Sequence, residues 1–413
     1  MEEKHIIKSP QNAEEMKIRK DAWDIVEYIT QIFKNSIKLW ASDIHIEETK
    51  TYVQVRFRKD GDFIIYDRLD HQNYSALITR LKVLSRIKID ENKKPQDWKI
   101  SFYYDEEDED IDVRLSTFPT KYWEKVVMRL LRQDESLINI NKLGFIDVNL
   151  KRIKEALRSK YGIILVAGPT WSGKSTTLFW VLKHFNPLEY NISTLEDPIE
   201  YDMDFVNQSQ MYPDIGYSFA EWLRSLMRQD PDIIMVWEIR DKETSMLAVE
   251  AALTGHIVFS TIHTNSAAGT VQRLINMDIE PFLIASALKM VISQRLWKRL
   301  CTHCKVPDEL WEVKIKKVKN FLKEIMSEDE IGKIVFYKWE WCEKCGDTGY
   351  KWRVWIHEVL ISDEWLEELV LEKSSVWEML KWAKAHGMIT IVQDALLKAA
   401  IWETTVEEAF KLI

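Results

Sequence analysis

Apolar residues first fall into register after Ala22, where Ile25, Ile29, Ile32, Phe33 and Ile37 recur at helical spacing and predict a helix over 25–40. From Ala41 to Leu69 the period drops to two, which predicts strands carrying Arg56 and Arg58 on one face and turning at Asp60 and Gly61. A second helix is expected over 74–87. Strands are expected over 98–104 and 111–116, on either side of the acidic turn DEEDED, and VVMRLL closes the unit near Leu131. Residues 1–20 are polar and read as a flexible tail. The pattern is that of a smaller N-terminal α+β domain over 21–133. A polar linker follows over 134–148, with Leu143, Gly144 and Phe145 opening the next unit.

From residue 149 to 300 short apolar runs alternate with helical stretches, the pattern of a parallel sheet with right-handed crossovers. Ile163–Ala167 is rich in β-branched residues and suits a strand buried on both faces. The second strand, 191–195, delivers Glu196, Asp197 and Glu200 at its C-terminal end. A helix over 219–229 carries Arg224 and Arg228 and stops before Pro231. The third strand, 233–236, ends in Glu238, Arg240 and Asp241. A helix over 242–253 closes on Gly255 as its C′ residue. The fourth strand, 256–262, starts at His256 and ends at His263. Ligands of open α/β sheets bind at the C-terminal edge of the strands, and this order puts Lys174, Glu196, Glu238 and His263 on that edge. Taken singly, each acid also reads as an exposed loop carboxylate and each histidine as a structural one.

The loop after the first strand narrows the chemistry. Gly168, Pro169, Thr170, Trp171, Ser172, Gly173, Lys174, Ser175 and Thr176 follow the pattern G-x-x-x-x-G-K-[ST]. In that pattern backbone N–H groups cradle phosphate, the lysine reaches the outer phosphates and the hydroxyl of Ser175 binds Mg²⁺. The helix beginning there turns its positive N-terminus on the same anion. A nucleoside triphosphate is the implied ligand.

The chain has four cysteines, Cys301 and Cys304 in one C-x₂-C knuckle and Cys342 and Cys345 in another. Four thiolates suit a closed tetrahedral Zn²⁺ site with no open position for hydrolysis; the alternative is four reduced buried thiols. The 37 residues between Cys304 and Cys342 require a helical insertion between the knuckles. The region 301–413 is expected to be a zinc-binding and helical module. Composition then bounds the partners. With 66 acidic against 57 basic residues and a net charge of −9, the chain lacks the electrostatic footprint of a duplex DNA binder, so direct nucleic-acid contact is not expected. No apolar run is long enough to span a bilayer, and a cytoplasmic location is expected.

Several segments together carry a resemblance. GPTWSGKST, LEDPIEY, RQDPDIIMVWEIRD, TGHIVFSTIHTN, the expected helix SQRLWKRLC and the two knuckles resemble the secretion ATPases of type II secretion and type IV pilus assembly, from about Trp40 to the C-terminus. The resemblance implies a RecA-like P-loop ATPase domain preceded by a PAS-like domain, with ATP and Mg²⁺ as cofactors beside Zn²⁺. It makes Glu196 and Glu200 two acids of one box, one of them orienting the attacking water, and gives Glu238 a place near the metal. It makes His256 and His263 sensors of the γ-phosphate, and Arg114 and Arg129 N-terminal arginines that reach toward nucleotide. It further implies a homohexamer peripheral to the inner membrane, working on a platform protein and through it on pilins or pseudopilins. A retraction or DNA-translocating motor and a non-hydrolysing scaffold are the competing functions. Only about 20 residues precede the first domain, so an extra docking domain is not expected.

One departure runs through the resemblance. Trp40, Trp98, Trp123, Trp171, Trp237, Trp341, Trp352, Trp355 and Trp402 stand where the family pattern has glycine, while Trp297 and Trp339 lie outside the clearest such positions. The chain has 18 tryptophans and 12 glycines, and the two types together come to the share, about 7%, that glycine alone ordinarily takes. UGA read as glycine in the source but translated as tryptophan explains both facts; an engineered or decayed chain is the alternative. If so, several of Trp171, Trp237, Trp341, Trp352 and Trp355 are expected to show positive φ, exposed indoles or a crowded phosphate loop.

Overall fold

The computed structural model describes residues 24–59, 61–105, 109–131, 143–211 and 218–412. The expected tail, Asp60, the centre of the acidic turn and most of the expected linker lie outside them. The chain divides into two compact units, Met1–Gln133 and Asp134–Ile413.

In the first unit, α1 (Ile25–Lys38) starts where the Asp24 carboxylate accepts the Val26 and Glu27 N–H groups. Strands β1 (Asp43–Glu48), β2 (Val53–Lys59) and β3 (Asp62–Leu69) follow, then α2 (Tyr74–Leu84), β4 (Gln96–Tyr104), β5 (Glu109–Pro119) and β6 (Glu124–Leu131). They form one antiparallel sheet in the order β3-β2-β1-β6-β5-β4. Period-two alternation gives its apolar face: Ile44, Val55, Phe57, Val113, Leu115 and Met128 pack with Ile29, Ile32 and Phe33 of α1 and Leu77 and Leu81 of α2. Lys82 and Glu124, both buried, pair at 2.6 Å, and the lysine also donates to the Glu91 carbonyl, so neither charge is stranded.

The second unit opens with α3 (Asp147–Ala156), β7 (Gly162–Ala167), α4 (Lys174–Lys183), β8 (Ile192–Glu196), β9 (Asn207–Gln210), α5 (Phe219–Leu226), β10 (Ile233–Val236), α6 (Lys242–Leu253) and β11 (Ile257–Ile262). Its sheet, which also takes in β12 (Leu288–Leu300) and β15 (Tyr350–Ile361), runs β15-β12-β7-β11-β10-β8-β9, parallel except for β15. Helices α7 (Ala267–Asn276) and α8 (Pro281–Ala287) lead into β12 (Leu288–Leu300). Alternate residues of β7 serve opposite cores: Ile163 and Leu165 pack into one, Ile164 and Val166 into the other. This is why that strand reads as a continuous apolar run. Gly255 closes α6 at φ +111° as its position required.

Beyond β12 come β13 (Lys305–Pro307), α9 (Glu312–Leu322), α10 (Glu328–Gly332) and β14 (Tyr337–Trp339), then β15 (Tyr350–Ile361) and α11 (Glu364–Leu371), α12 (Val376–Ala385), α13 (Ile391–Ala400) and α14 (Val406–Phe410). Two expectations change here. The segment SQRLWKRLC is strand, not helix: β12 is hydrogen-bonded to β7 on one edge and to β15 on the other, and this pairing overrides the helical propensity of Leu, Arg and Lys. The segment after Cys301 is not helical throughout, because β15 returns to the main sheet.

Candidate functional site

Leaving β7, the chain must turn at once from sheet into α4. Gly168 makes the first step at φ +155°, where a Cβ would lie 2.6 Å from the Gln294 carbonyl oxygen and 2.5 Å from Ser172 Oγ. Pro169, Thr170 and Trp171 are exposed, Ser172 is buried, and Gly173 caps α4 at φ +80°. Lys174, Ser175 and Thr176 make the first helical turn. Lys174 folds its amine back onto the carbonyls of Gly168 (2.9 Å) and Pro169 (3.1 Å). Burial lowers its pKa to about 8, with the Glu238 and Glu200 carboxylates pulling the other way and Arg295 adding to the drop. Among the described residues no carboxylate pairs with this ammonium.

The acids arrive on neighbouring strands. Glu196, last residue of β8, is fully buried. Its Oε1 accepts from Thr194 Oγ1 (2.6 Å) and Gln208 Nε2 (2.9 Å), while Oε2 has no hydrogen-bond partner. Burial raises its pKa, and those two bonds work against the rise. Glu200 follows in the next loop. Glu238, just past β10, meets His263 Nε2 through Oε1 at 2.8 Å and accepts from Arg240 Nε on Oε2 at 2.7 Å. Because β7, β11, β10 and β8 are parallel neighbours in that order, Lys174, His263, Glu238 and Glu196 do share one edge.

His256 does not join them. It precedes β11, whose far end His263 follows, so the two histidines lie about 23 Å apart along the strand. There its Nδ1 sits 2.8 Å from the Ala251 carbonyl at the end of α6, a capping position. The expectation that both histidines face the γ-phosphate therefore fails for His256, since a strand carries its two ends to opposite edges of the sheet.

Gln294 and Arg295 reach the site from β12, where no sequence motif marks them as site residues. Gln294 is fully buried on β12; its Nε2 donates to the Ser172 carbonyl (2.7 Å) and its Oε1 accepts from Thr177 Oγ1 (2.8 Å), tying loop and helix together. Arg295 donates to the Asn265 carbonyl after β11 (2.8 Å), with Glu358 behind it acting on its charge. No local spacing signals these contacts, which join residues more than a hundred positions apart in the Gln294 case.

In the first unit Arg129 pairs directly with Arg114 across β6 and β5, and with Asp43 across β6 and β1. The same transverse row continues to Arg58 on β2 and Lys99 on β4. Side-by-side cations cost energy unless a counter-charge is near. Asp43 supplies one to Arg129 at 3.3 Å.

The four cysteines converge: the sulfurs of Cys301, Cys304, Cys342 and Cys345 lie within 4.8 Å of one another, and Cys304 and Cys345 are 4.0 Å apart. Tetrahedral Zn–S bonds of about 2.3 Å place sulfurs about 3.8 Å apart, so the cluster is compatible with zinc. Burial, with Cys301 and Cys345 adjacent, pushes the Cys304 thiol pKa up. The helical insertion expected between the knuckles is present as α9 and α10.

The type II/IV secretion system protein family matches residues 19–411. The chain belongs to this family. It is 44% identical over 383 residues to the type IV pilus assembly ATPase PilB of Thermus thermophilus, covering 92% of this chain and 42% of that protein. It is 40% identical over 403 residues to the type II secretion system ATPase E of Vibrio cholerae, covering 98% and 78%. It thus spans less than half of the Thermus relative and most of the Vibrio one. Among solved structures, the pilus retraction motor PilT with bound ADP matches at a TM-score of 0.64 and 28% identity, over 93% of this chain and 96% of that one. The Legionella pneumophila ATPase DotB shares the fold at a TM-score of 0.68 and 20% identity, over 96% and 98%. Among the described residues no helix is long and apolar enough to cross a membrane.

Proposed function

We propose that this chain is the subunit of an ATP-hydrolysing hexameric motor that powers assembly of a type IV pilus or a type II secretion pseudopilus at the inner membrane. The observation that carries the reading is the loop from Gly168 to Thr176, whose lysine rests on the Gly168 and Pro169 carbonyls with no carboxylate partner among the described residues, on the same sheet edge as Glu196, Glu238 and His263. The strand order, with β7 between β12 and β11, supports a RecA-like domain for 149–300. Ser172 Oγ and Glu196 Oε2 are buried without hydrogen-bond partners, two polar atoms that a phosphate and its hydration shell would satisfy. At Gly168 any side chain would fill the cradle.

In this mechanism the loop amides bind the phosphates and Lys174 balances their charge. Ser175 and Glu238 would hold Mg²⁺, which neutralises charge on the phosphate oxygens when bound. Glu196, helped by Glu200, orients the attacking water. His263, already on Glu238, reads the presence of the outer phosphate, and Arg114 and Arg129 supply cationic charge from the first unit. Hydrolysis then moves one unit against the other, and an inner-membrane platform protein receives the work. Zn²⁺ on Cys301, Cys304, Cys342 and Cys345 is structural in this reading.

The relatives named as assembly and secretion ATPases, 37–44% identical, favour this function over retraction. Purified protein is expected to bind and hydrolyse ATP without stimulation by DNA, and Lys174→Ala to abolish binding. Absence of ATP binding would overturn the reading, and DNA-stimulated turnover would move it to a translocation motor.

A further inference from the structure

Ten non-glycine residues among those described have positive φ, and tryptophan supplies four of them: Trp40 (56°), Trp171 (70°), Trp352 (73°) and Trp402 (68°). Aspartate supplies three, as its short polar side chain leads one to expect; a bulky aromatic in this region is an outlier. The four tryptophans also occupy three different backbone motifs, each of which has its own reason to demand glycine.

Trp40 and Trp402 sit at C′ of α1 and α13. In each case the motif is complete: Trp40 N–H donates to Ile37 O and Ala41 N–H to Ser36 O, and Trp402 N–H donates to Ala399 O and Glu403 N–H to Lys398 O. This pair of bonds is the Schellman motif, whose C′ residue is usually glycine. The same chain shows the ordinary solution at the end of α12, where Gly387 takes C′ at φ 77° with the matching bonds to Lys384 O and Ala383 O. Arg86, Asp278 and Lys373 close the same motif elsewhere, so αL geometry alone does not identify a glycine. Those three, however, extend polar groups into water, whereas Trp40 and Trp402 leave more than two-fifths of a large indole exposed.

Trp171 is the third residue of the turn closed by the Ser172 N–H on Pro169 O. Positive φ at that position is the type II requirement for glycine. Trp352 lies on β15 where the register with β12 slips: Lys298 faces Arg353 and Leu300 faces Tyr350, leaving Lys351 and Trp352 opposite Arg299 alone. A bulge with a positive-φ residue is again a glycine site. Trp341 is 66% exposed, as expected of a misplaced indole. Trp237 and Trp355 depart from that expectation by packing partly against an apolar cluster, although Trp355 Nε1 lies only 2.5 Å from where a Cβ on Gly173 would be.

We infer that residues 40, 171, 352 and 402 are glycine in the protein its own cell makes, the tryptophans arising because UGA codons that the source reads as glycine were translated under a code that reads them as tryptophan. One residue type filling three unrelated glycine motifs is what a codon error produces and what drift does not. The consequence reaches the phosphate loop, which becomes Gly168-Pro169-Thr170-Gly-Ser172-Gly173-Lys174, with no indole at the mouth of the anion site. The inference rests on backbone geometry and stands whether or not the chain hydrolyses ATP.

The gene and the native protein test it separately. All four codons are expected to be UGA, and a UGG at any of them overturns the inference for that residue. Peptide mass spectrometry of protein from the source cells is expected to give a Val166–Lys174 fragment with the mass of glycine at 171; a tryptophan mass sinks the proposal. In recombinant protein, Trp40→Gly and Trp402→Gly are each expected to raise the melting temperature by relieving αL strain. A fall for both would show that the indoles are native and count against the inference.

Discussion

The proposed phosphate loop and the cysteine cluster each suit a small charged ligand, yet by opposite means. The loop works through backbone: its shape depends on Gly168 and Gly173, where a Cβ would collide, and on Gln294 reaching across from another strand. The cluster works through side chains: four sulfurs on two short knuckles, legible in the sequence as spacing alone. A backbone site can be damaged by adding atoms anywhere around it, whereas a thiolate site is damaged chiefly by removing a ligand.

The sharpest way to break the comparison is at the acid on the loop's edge. In protein carrying glycine at 40, 171, 352 and 402, Glu238→Gln is expected to keep ATP binding while turnover falls about a hundredfold or more, measured by phosphate release with a parallel binding titration. Unchanged turnover would remove Glu238 from the mechanism.

On the other side, the purified, reduced protein is expected to carry about one Zn²⁺ per chain by metal analysis, and Cys301→Ser to lose it and lower the melting temperature with nucleotide affinity retained. Zinc-free wild-type protein would refute a structural metal there.

Gln294 sharpens the contrast because it is a side chain serving a backbone site. Gln294→Ala leaves the Ser172 carbonyl and the Thr177 hydroxyl short of a partner and is expected to cost about 1–3 kcal/mol of stability by denaturant titration. It is also expected to raise KM for ATP more than it lowers kcat. Equal binding by the variant would mean the clamp is not needed to shape the loop.

The smallest effect expected is a pH dependence. Lys174 has a pKa lowered to about 8 by burial, so its charge, which phosphate binding needs, is present below pH 8 and lost as pH rises through that value. Affinity for ATP is expected to fall above pH 8, and the fall to move to higher pH in Lys174→Arg. The stability contribution has the opposite sign: between the lowered folded pKa and the ordinary lysine value the unfolded chain holds more protons, so the Lys174 contribution to stability rises with pH there.

Much of this was legible in the residues. The strand–loop–helix at 162–183, the shared edge of Glu196, Glu238 and His263 and the convergence of the cysteines all follow from local pattern and the direction of parallel strands. What the sequence hid was long-range pairing. β12 carries helix-favouring residues and becomes strand only because β7 and β15 bracket it, and Gln294 gains its role through contacts more than a hundred residues away. His256 shows the reverse failure: it lies near His263 in sequence, and an extended strand carries the two apart.

β12 has β7 on one edge from Leu288 to Ser293 and β15 on the other from Met290 to Leu300, so its first half cannot slide lengthwise without breaking two ladders together. Six residues of it, 295–300, separate Gln294 beside the loop from Cys301 at the knuckle, a span of about 23 Å. Over that stretch β12 is held by β15 alone, and the pairing shifts register between Lys298 and Leu300. The two candidate sites are therefore the two ends of one strand, the Gln294 end next to the doubly paired half and the Cys301 end on the half with a single neighbour.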